Sequence, residues 1–213
     1  MWLTNPNTST DAVSLTASVL VFGFVNHIDY FRVVSFLSER GEAYYPNHSI
    51  NGLLNRIMGI FDPTPNRNLD FVAGEFPPFD PLVYGGTLLS SLAILTAALF
   101  NRSTRGDCGR LIDFSLMALS CTMASRIAWE HHYGILLPIF AVLVVLVARR
   151  PLWLGLLAVS YALASVYIPA TMLLAPTPFN LAQSYLLFAA LIVLALLHWR
   201  PWAVGEALAS SAG

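Results

Sequence analysis

Six apolar runs punctuate the chain, at about 12–27, 82–100, 111–126, 133–148, 152–168 and 181–198, and their length and scarcity of charge predict membrane-crossing helices. The first and fourth are shorter than a comfortable span. Together they predict an all-α, polytopic membrane protein of about six transmembrane helices, organised as one membrane domain over 1–213. The connections are short except for the one at about 28–81.

That long connection has a pattern of its own. A polar amphipathic stretch from Asp29 to Glu42 leads into Ala43-Tyr44-Tyr45-Pro46 and then into a helical signal. Ile50, Leu53, Leu54, Ile57, Met58 and Phe61 recur at helical spacing and share one face, with Asn51, Asn55 and Arg56 on the other. Such a helix is expected to lie on the membrane surface or on neighbouring spans, with Asn47 or Ser49 as its N-cap. Two proline-rich breakers, Asp62-Pro63-Thr64-Pro65 and Phe76 to Pro81, return the chain to the second span.

Charge sets the orientation. The arginine-rich turns Asn101 to Arg110 and Arg149-Arg150-Pro151, and the end of the last run at His198-Trp199-Arg200, are assigned to the cytoplasm by the positive-inside rule. Counting spans back puts 28–81, the turn from Glu130 to Tyr133 and the loop at 169–180 on the extracytoplasmic side. Composition agrees with a membrane protein: 56% of residues are hydrophobic and 11% charged, with a mean hydropathy of +0.65. The net charge of −1 argues against nucleic acid as a partner, since phosphate binding needs a basic stripe. Cys108 and Cys121 are too few for a disulfide framework and too far apart for a Cys-x-x-Cys metal motif. The start, Met1 to Pro6, lacks the positive region of a cleavable signal peptide.

Two clusters carry candidate chemistry. In the first, Asn47, His48, Ser49, Asn51 and Arg56 bring amide, imidazole, hydroxyl and guanidinium groups to the start of a helix, where unpaired N–H groups favour a phosphate. The plain alternative is that Asn47 and Ser49 only cap the helix, His48 is solvated and Arg56 snorkels to lipid headgroups. In the second, Arg126, Trp129, Glu130, His131, His132 and Tyr133 stand together at a span junction, where ionisable groups are costly and point to function. One histidine would bind or protonate a phosphate leaving group while Trp129 or Tyr133 offers an aromatic face to a sugar or lipid. The alternative pairs Arg126 with Glu130 and leaves Trp129 and Tyr133 as interfacial anchors. No metal site is expected, because adjacent histidines on a helix point about 100° apart and zinc prefers i, i+4 spacing. Spacing singles out no base among the loop acids Asp62, Asp70, Glu75 and Asp80.

The run Tyr44 to Arg56 and the later Ser125 to Tyr133 with Leu136-Leu137-Pro138 resemble two motifs of glycosyltransferase family 87: an Asn-Gln-Ser…Gly…Arg loop and a Trp-x-His-His segment. His48 stands where glutamine is usual. The resemblance implies a GT-C fold and transfer of a sugar, such as mannose, from a polyprenyl-phosphate donor to a glycolipid or glycan acceptor. The site would lie on the outer face of a bacterial cytoplasmic membrane and use no cofactor. It further implies that the catalytic base is an aspartate in an earlier loop, so that this chain corresponds to a C-terminal half whose N-terminal half lies elsewhere. Against an enzyme stand two other classes, a transporter and a non-catalytic membrane subunit. Flux without sugar transfer would favour the transporter, and failure of an upstream polypeptide to restore transfer would favour the subunit.

Overall fold

The computed structural model describes residues 8–61, 76–101, 106–165, 173, 174, 177 and 179–200, and every regular element among them is helical. Asp62, Asp70, Glu75, the Asp62–Pro65 breaker, the middle of the 101–110 turn, the end of the fifth apolar run and most of the 169–180 loop lie outside the described residues.

Helices α1 (Thr8–Phe22) and α2 (Phe24–Arg40) occupy the first compact unit. The apolar run expected as one span over 12–27 is broken at Gly23. This glycine adopts φ +81° and its N–H closes on the Val19 carbonyl at 2.8 Å, a left-handed helix stop. The two helices bend by 100° there. His27 pins the corner, with Nε2 3.0 Å from Ser18 Oγ and Nδ1 2.8 Å from the Gly23 carbonyl. The chain from Asp29 to Arg40, placed in the outer loop, is thus helical as the greater part of α2, and none of that helix's side chains is buried within the unit.

The second unit begins at Arg40 and holds α3 (Ile50–Phe61), α4 (Pro81–Phe100), α5 (Asp107–Ala124), α6 (Leu136–Val147), α7 (Pro151–Ser165) and α8 (Tyr185–Trp199). Short 3-10 turns at Glu130–Ile135 and Asn180–Ser184 lead into α6 and α8. Helix α8 is the central element, packed on α5 and α7. Leu119, Met123, Leu143, Val147, Leu187 and Val193 are wholly buried where α5, α6 and α8 meet. Helix α4 starts where the second proline cluster ends: Asp80 Oδ1 accepts from Leu82 N and Val83 N at 2.8 and 3.3 Å, and Pro81 takes the first position, where no N–H is needed.

Among the described residues three helical segments are long and apolar enough to cross a membrane: Pro81–Phe100, Glu130–Val147 and Asn180–Trp199. The bent α1–α2 pair makes a fourth if it counts as one. The runs expected at 111–126 and 152–168 are helical too. Helix α5, however, carries Asp107, Arg110 and Asp113 in its first two turns, and α7 is described over 15 residues.

The segments expected on one side of the membrane meet at one end of this unit, where residues in 42–56 bond to 126–133 and to 180–184. The segments expected on the other side also meet. Arg200 Nη2 donates to the Asn101 carbonyl at 2.5 Å and pairs with Asp113 at 3.1 Å, while Asn101 Nδ2 donates to the His198 carbonyl at 3.0 Å.

Helix α3 is amphipathic as expected, with its faces reversed relative to a soluble protein. Asn51, Gly52, Asn55 and Arg56 are buried, whereas Leu53, Leu54, Ile57 and Met58 are only partly covered and Phe61 is 78% exposed. An inward polar face is the arrangement expected where the surroundings are hydrocarbon rather than water.

Candidate functional site

The site is built on a knot of buried polar groups. Asn47 uses all four of its hydrogen-bonding positions: Nδ2 donates to the Glu42 and Arg126 carbonyls at 2.7 and 3.1 Å, and Oδ1 accepts from Ser49 N and Ala128 N at 3.2 and 3.0 Å. Ser49 is the N-cap of α3. Its Oγ accepts from Gly52 N at 3.1 Å and donates to the Arg126 carbonyl at 2.7 Å. The Asn47 carbonyl approaches so closely that a Cβ on Gly52 would lie 2.2 Å from it, so glycine is required there. Two further bonds clamp the strand of chain at His48: its N–H reaches the Ala128 carbonyl at 2.8 Å, and Tyr133 Oη donates to its carbonyl at 2.7 Å.

Arg56, expected to reach a phosphate or the headgroups, is fully buried at the centre of this knot. Its guanidinium donates to Gln183 Oε1 (3.2 Å), Ser184 Oγ (2.8 Å) and the carbonyls of Tyr45 (2.8 Å) and Asn47 (3.0 Å). Burial lowers its pKa from 12.5 to about 10, which leaves it charged at neutral pH. Asn180 Nδ2 donates to the Arg56 carbonyl at 3.0 Å, and Asn51 bridges Glu42 N, Thr87 and Asn55. The fork of Arg56 therefore ties α3 to the nearby 45–47 turn and to the distant 183–184 segment.

His48 sits beside this cation and is 1% exposed. Neither ring nitrogen has a well-formed hydrogen bond among the described residues. Burial first and the Arg56 charge second lower its pKa from 6.5 to about 3, with the Gln183 backbone opposing in part, so the ring is neutral at physiological pH. Its Nε2 lies 3.8 Å from Glu130 Oε1, which with a neutral ring is a juxtaposition rather than an ion pair. The ring meets Tyr185 edge-on at 4.8 Å.

The second cluster leaves the knot and faces outward. Residues 125–129 are not helical, so Arg126 and Glu130 do not form the i, i+4 pair that a helix would allow. Arg126 instead lies over the Tyr84 ring at 4.5 Å, and its Nη1 has no partner among the described residues. Trp129 is fixed by its indole N–H, donated to Glu42 Oε2 at 2.6 Å; burial raises the Glu42 pKa and this bond opposes the rise. His131 and His132 are exposed. In the tight 3-10 turn their rings lie 4.1 Å apart and tilted by 33°, nearly stacked, where a regular α-helix would have splayed them. Trp129 N donates to His132 Nδ1 at 3.0 Å, which leaves Nε2 as that ring's outward nitrogen. The His131 ring stands edge-on to Trp129 at 6.0 Å.

The structure thus brings all eleven candidates to one end of the unit and divides them. Asn47, His48, Ser49, Asn51, Arg56 and Tyr133 are buried; Arg126, Trp129 and Glu130 are half-buried; His131 and His132 are presented. Glu42, Asn55, Thr87, Asn180, Gln183 and Ser184 belong to the same network and were not singled out from the sequence. For the last three a signal existed: polar residues crowded at the start of an otherwise apolar run. Among the described residues no three His, Cys, Asp or Glu converge as metal ligands.

No protein-family model, curated protein or solved structure matches the chain.

Proposed function

We propose that this chain acts in a membrane glycosyl transfer of the GT-C, family-87 kind, moving a hexose such as mannose from a polyprenyl-phosphate donor to a glycolipid or glycan acceptor outside the cytoplasmic membrane. One observation supports the reading: Glu130, in the same turn as the exposed His131 and His132, lines the polar end of a cavity that runs between apolar helices. A water-facing acid–base cluster beside a lipid-facing cavity suits a substrate with a polar head and a hydrocarbon tail.

In such a transfer the acceptor oxygen bonds to the anomeric carbon, and the bond from that carbon to the phosphate oxygen breaks, its electron pair leaving with polyprenyl phosphate. The acceptor proton passes to a base. His131 supplies positive charge or a proton to the departing phosphate, and His132, its Nδ1 held by Trp129 N, donates a hydrogen bond to it from Nε2. Trp129 offers its ring to the sugar. Arg56 has spent its donors on the fold and serves by holding these groups in place.

The test is complementation. In cells lacking the chain, membranes are assayed for sugar transfer from labelled polyprenyl-phosphate mannose to lipid, and activity should return with the native chain. It should remain at least about 100-fold lower with the His131→Ala/His132→Ala double variant, the scale of lost acid–base catalysis. Full activity from the double variant would give the chain a scaffolding role instead. Unchanged transfer in cells lacking the chain would overturn the proposal.

A further inference from the structure

We infer that the cleft between α6 and α7 binds one chain of an uncharged, hydroxyl-bearing lipid, with the hydroxyl end at Glu130. Two cavities lie in line there. The outer, of about 290 Å³, is bounded at its polar end by Glu130, Tyr133 and Tyr185. The inner, of about 370 Å³, runs on between Val144 and Leu157 toward the Arg149–Pro151 turn and is lined almost wholly by carbon. The two adjoin at Leu137, Phe140 and Tyr161, where the Phe140 and Tyr161 rings meet edge-on at 5.3 Å, so a ligand chain lying along the trough would cross this aromatic pair. Leu137 is 68% exposed and Val144 44%, so the trough opens sideways from the helices. For a segment long and apolar enough to cross a bilayer, sideways means toward lipid.

The head end decides between lipids. Glu130 presents a carboxylate, and the group behind it is the neutral, buried His48, whose Nε2 lies 3.8 Å away without a bond. Arg56 cannot supply a counter-charge, its guanidinium being committed to four oxygens. Arg126, stacked over Tyr84, does not line the cavity. Burial raises the Glu130 pKa and His131 opposes the rise, while no cation lines the cavity itself, so a hydroxyl bonding to Glu130 suits the head end better than an anion does. The trough is therefore an acceptor-type site, separate from the exposed histidines. Its assignment to the acceptor of sugar transfer rests on the function proposed above; its preference for a lipid alcohol does not.

The experiment is photolabelling of the purified chain in nanodiscs with a diazirine-bearing long-chain isoprenoid alcohol, its monophosphate counterpart serving as the second probe. The alcohol should label α6 and α7 peptides and the monophosphate should label them several-fold less. Ala158→Trp, which fills the trough from an exposed position, should cut labelling at least about 10-fold, while Leu152→Trp, on a lipid-facing position outside it, should leave labelling unchanged. Glu130→Gln should weaken the alcohol about 3–10-fold by removing the charge from its hydrogen bond. Stronger labelling by the monophosphate, strengthened further by Glu130→Gln, would overturn the head-group assignment. Equal competition by an ordinary diacyl phospholipid, or no labelling, would overturn the site. Labelling by the alcohol in a chain that supports no sugar transfer would leave the trough standing and remove the transferase reading; transfer without labelling would do the reverse.

Discussion

The Asn47–Arg56 cluster and the Trp129–His132 cluster use similar residues and meet at one end of the same unit, yet they face opposite fates. In the first, nearly every polar atom is bonded to the protein, and Arg56 alone makes four hydrogen bonds while fully buried. In the second, two imidazoles stand exposed with one ring nitrogen tied down. What separates a framework from a site here is the fraction of hydrogen-bonding capacity already consumed. Residue type alone does not reveal it.

The contrast can be broken most decisively at Arg56. Arg56→Met should cost several kcal/mol, since each buried acceptor left dry costs about 1–3 kcal/mol, and Arg56→Lys should rescue little because a point charge cannot reproduce the fork. Thermal unfolding in detergent reads both, and near-native stability in Arg56→Met would show that the knot does not depend on its cation. Gly52→Ala comes next: a methyl group 2.2 Å from the Asn47 carbonyl forces α3 off its seat, so a clear fall in melting temperature is expected.

A pH titration sharpens the comparison further. The folded chain holds His48 neutral to about pH 3, whereas the unfolded chain protonates it near 6.5. Between those values the unfolded state binds the extra proton, so His48 makes stability fall as pH drops and has no effect above about 6.5. Glu42, whose folded pKa is raised, acts in the opposite direction and is common to both proteins when native and His48→Gln chains are compared. The variant should lose the acid slope in melting temperature. Identical slopes would remove His48 as its source. The smallest effect belongs to the exposed cluster: His131→Ala should shift stability by less than about 0.5 kcal/mol. His132→Ala, which removes an acceptor for Trp129 N, should cost about 1 kcal/mol. Large losses in both would place these histidines in the framework.

The helices of this protein were legible because apolar runs and the spacing of Ile50 to Phe61 are local properties. The break at Gly23 was less so. A glycine inside an apolar run is compatible with a continuous span, and only its positive φ ends the helix. The two clusters were found from their density of polar groups near predicted span ends. Their division was hidden, because it depends on Gln183 and Ser184 arriving beside Arg56 from 127 and 128 residues away. The direction of α3 was open for the same reason: periodicity shows two faces and says nothing of which one meets lipid.

That separation along the chain orders the biogenesis of the molecule. Arg56 leaves the ribosome long before the residues that will receive its guanidinium, and α3 cannot turn its polar face inward until they do. During that interval the helix has to stay where water can reach Asn51, Asn55 and Arg56, so it cannot enter hydrocarbon as an early span does. The site can therefore close only after Gln183 and Ser184 have emerged, and a chain ending before them would lack α8 as well as both side-chain acceptors of Arg56, leaving its centre wet.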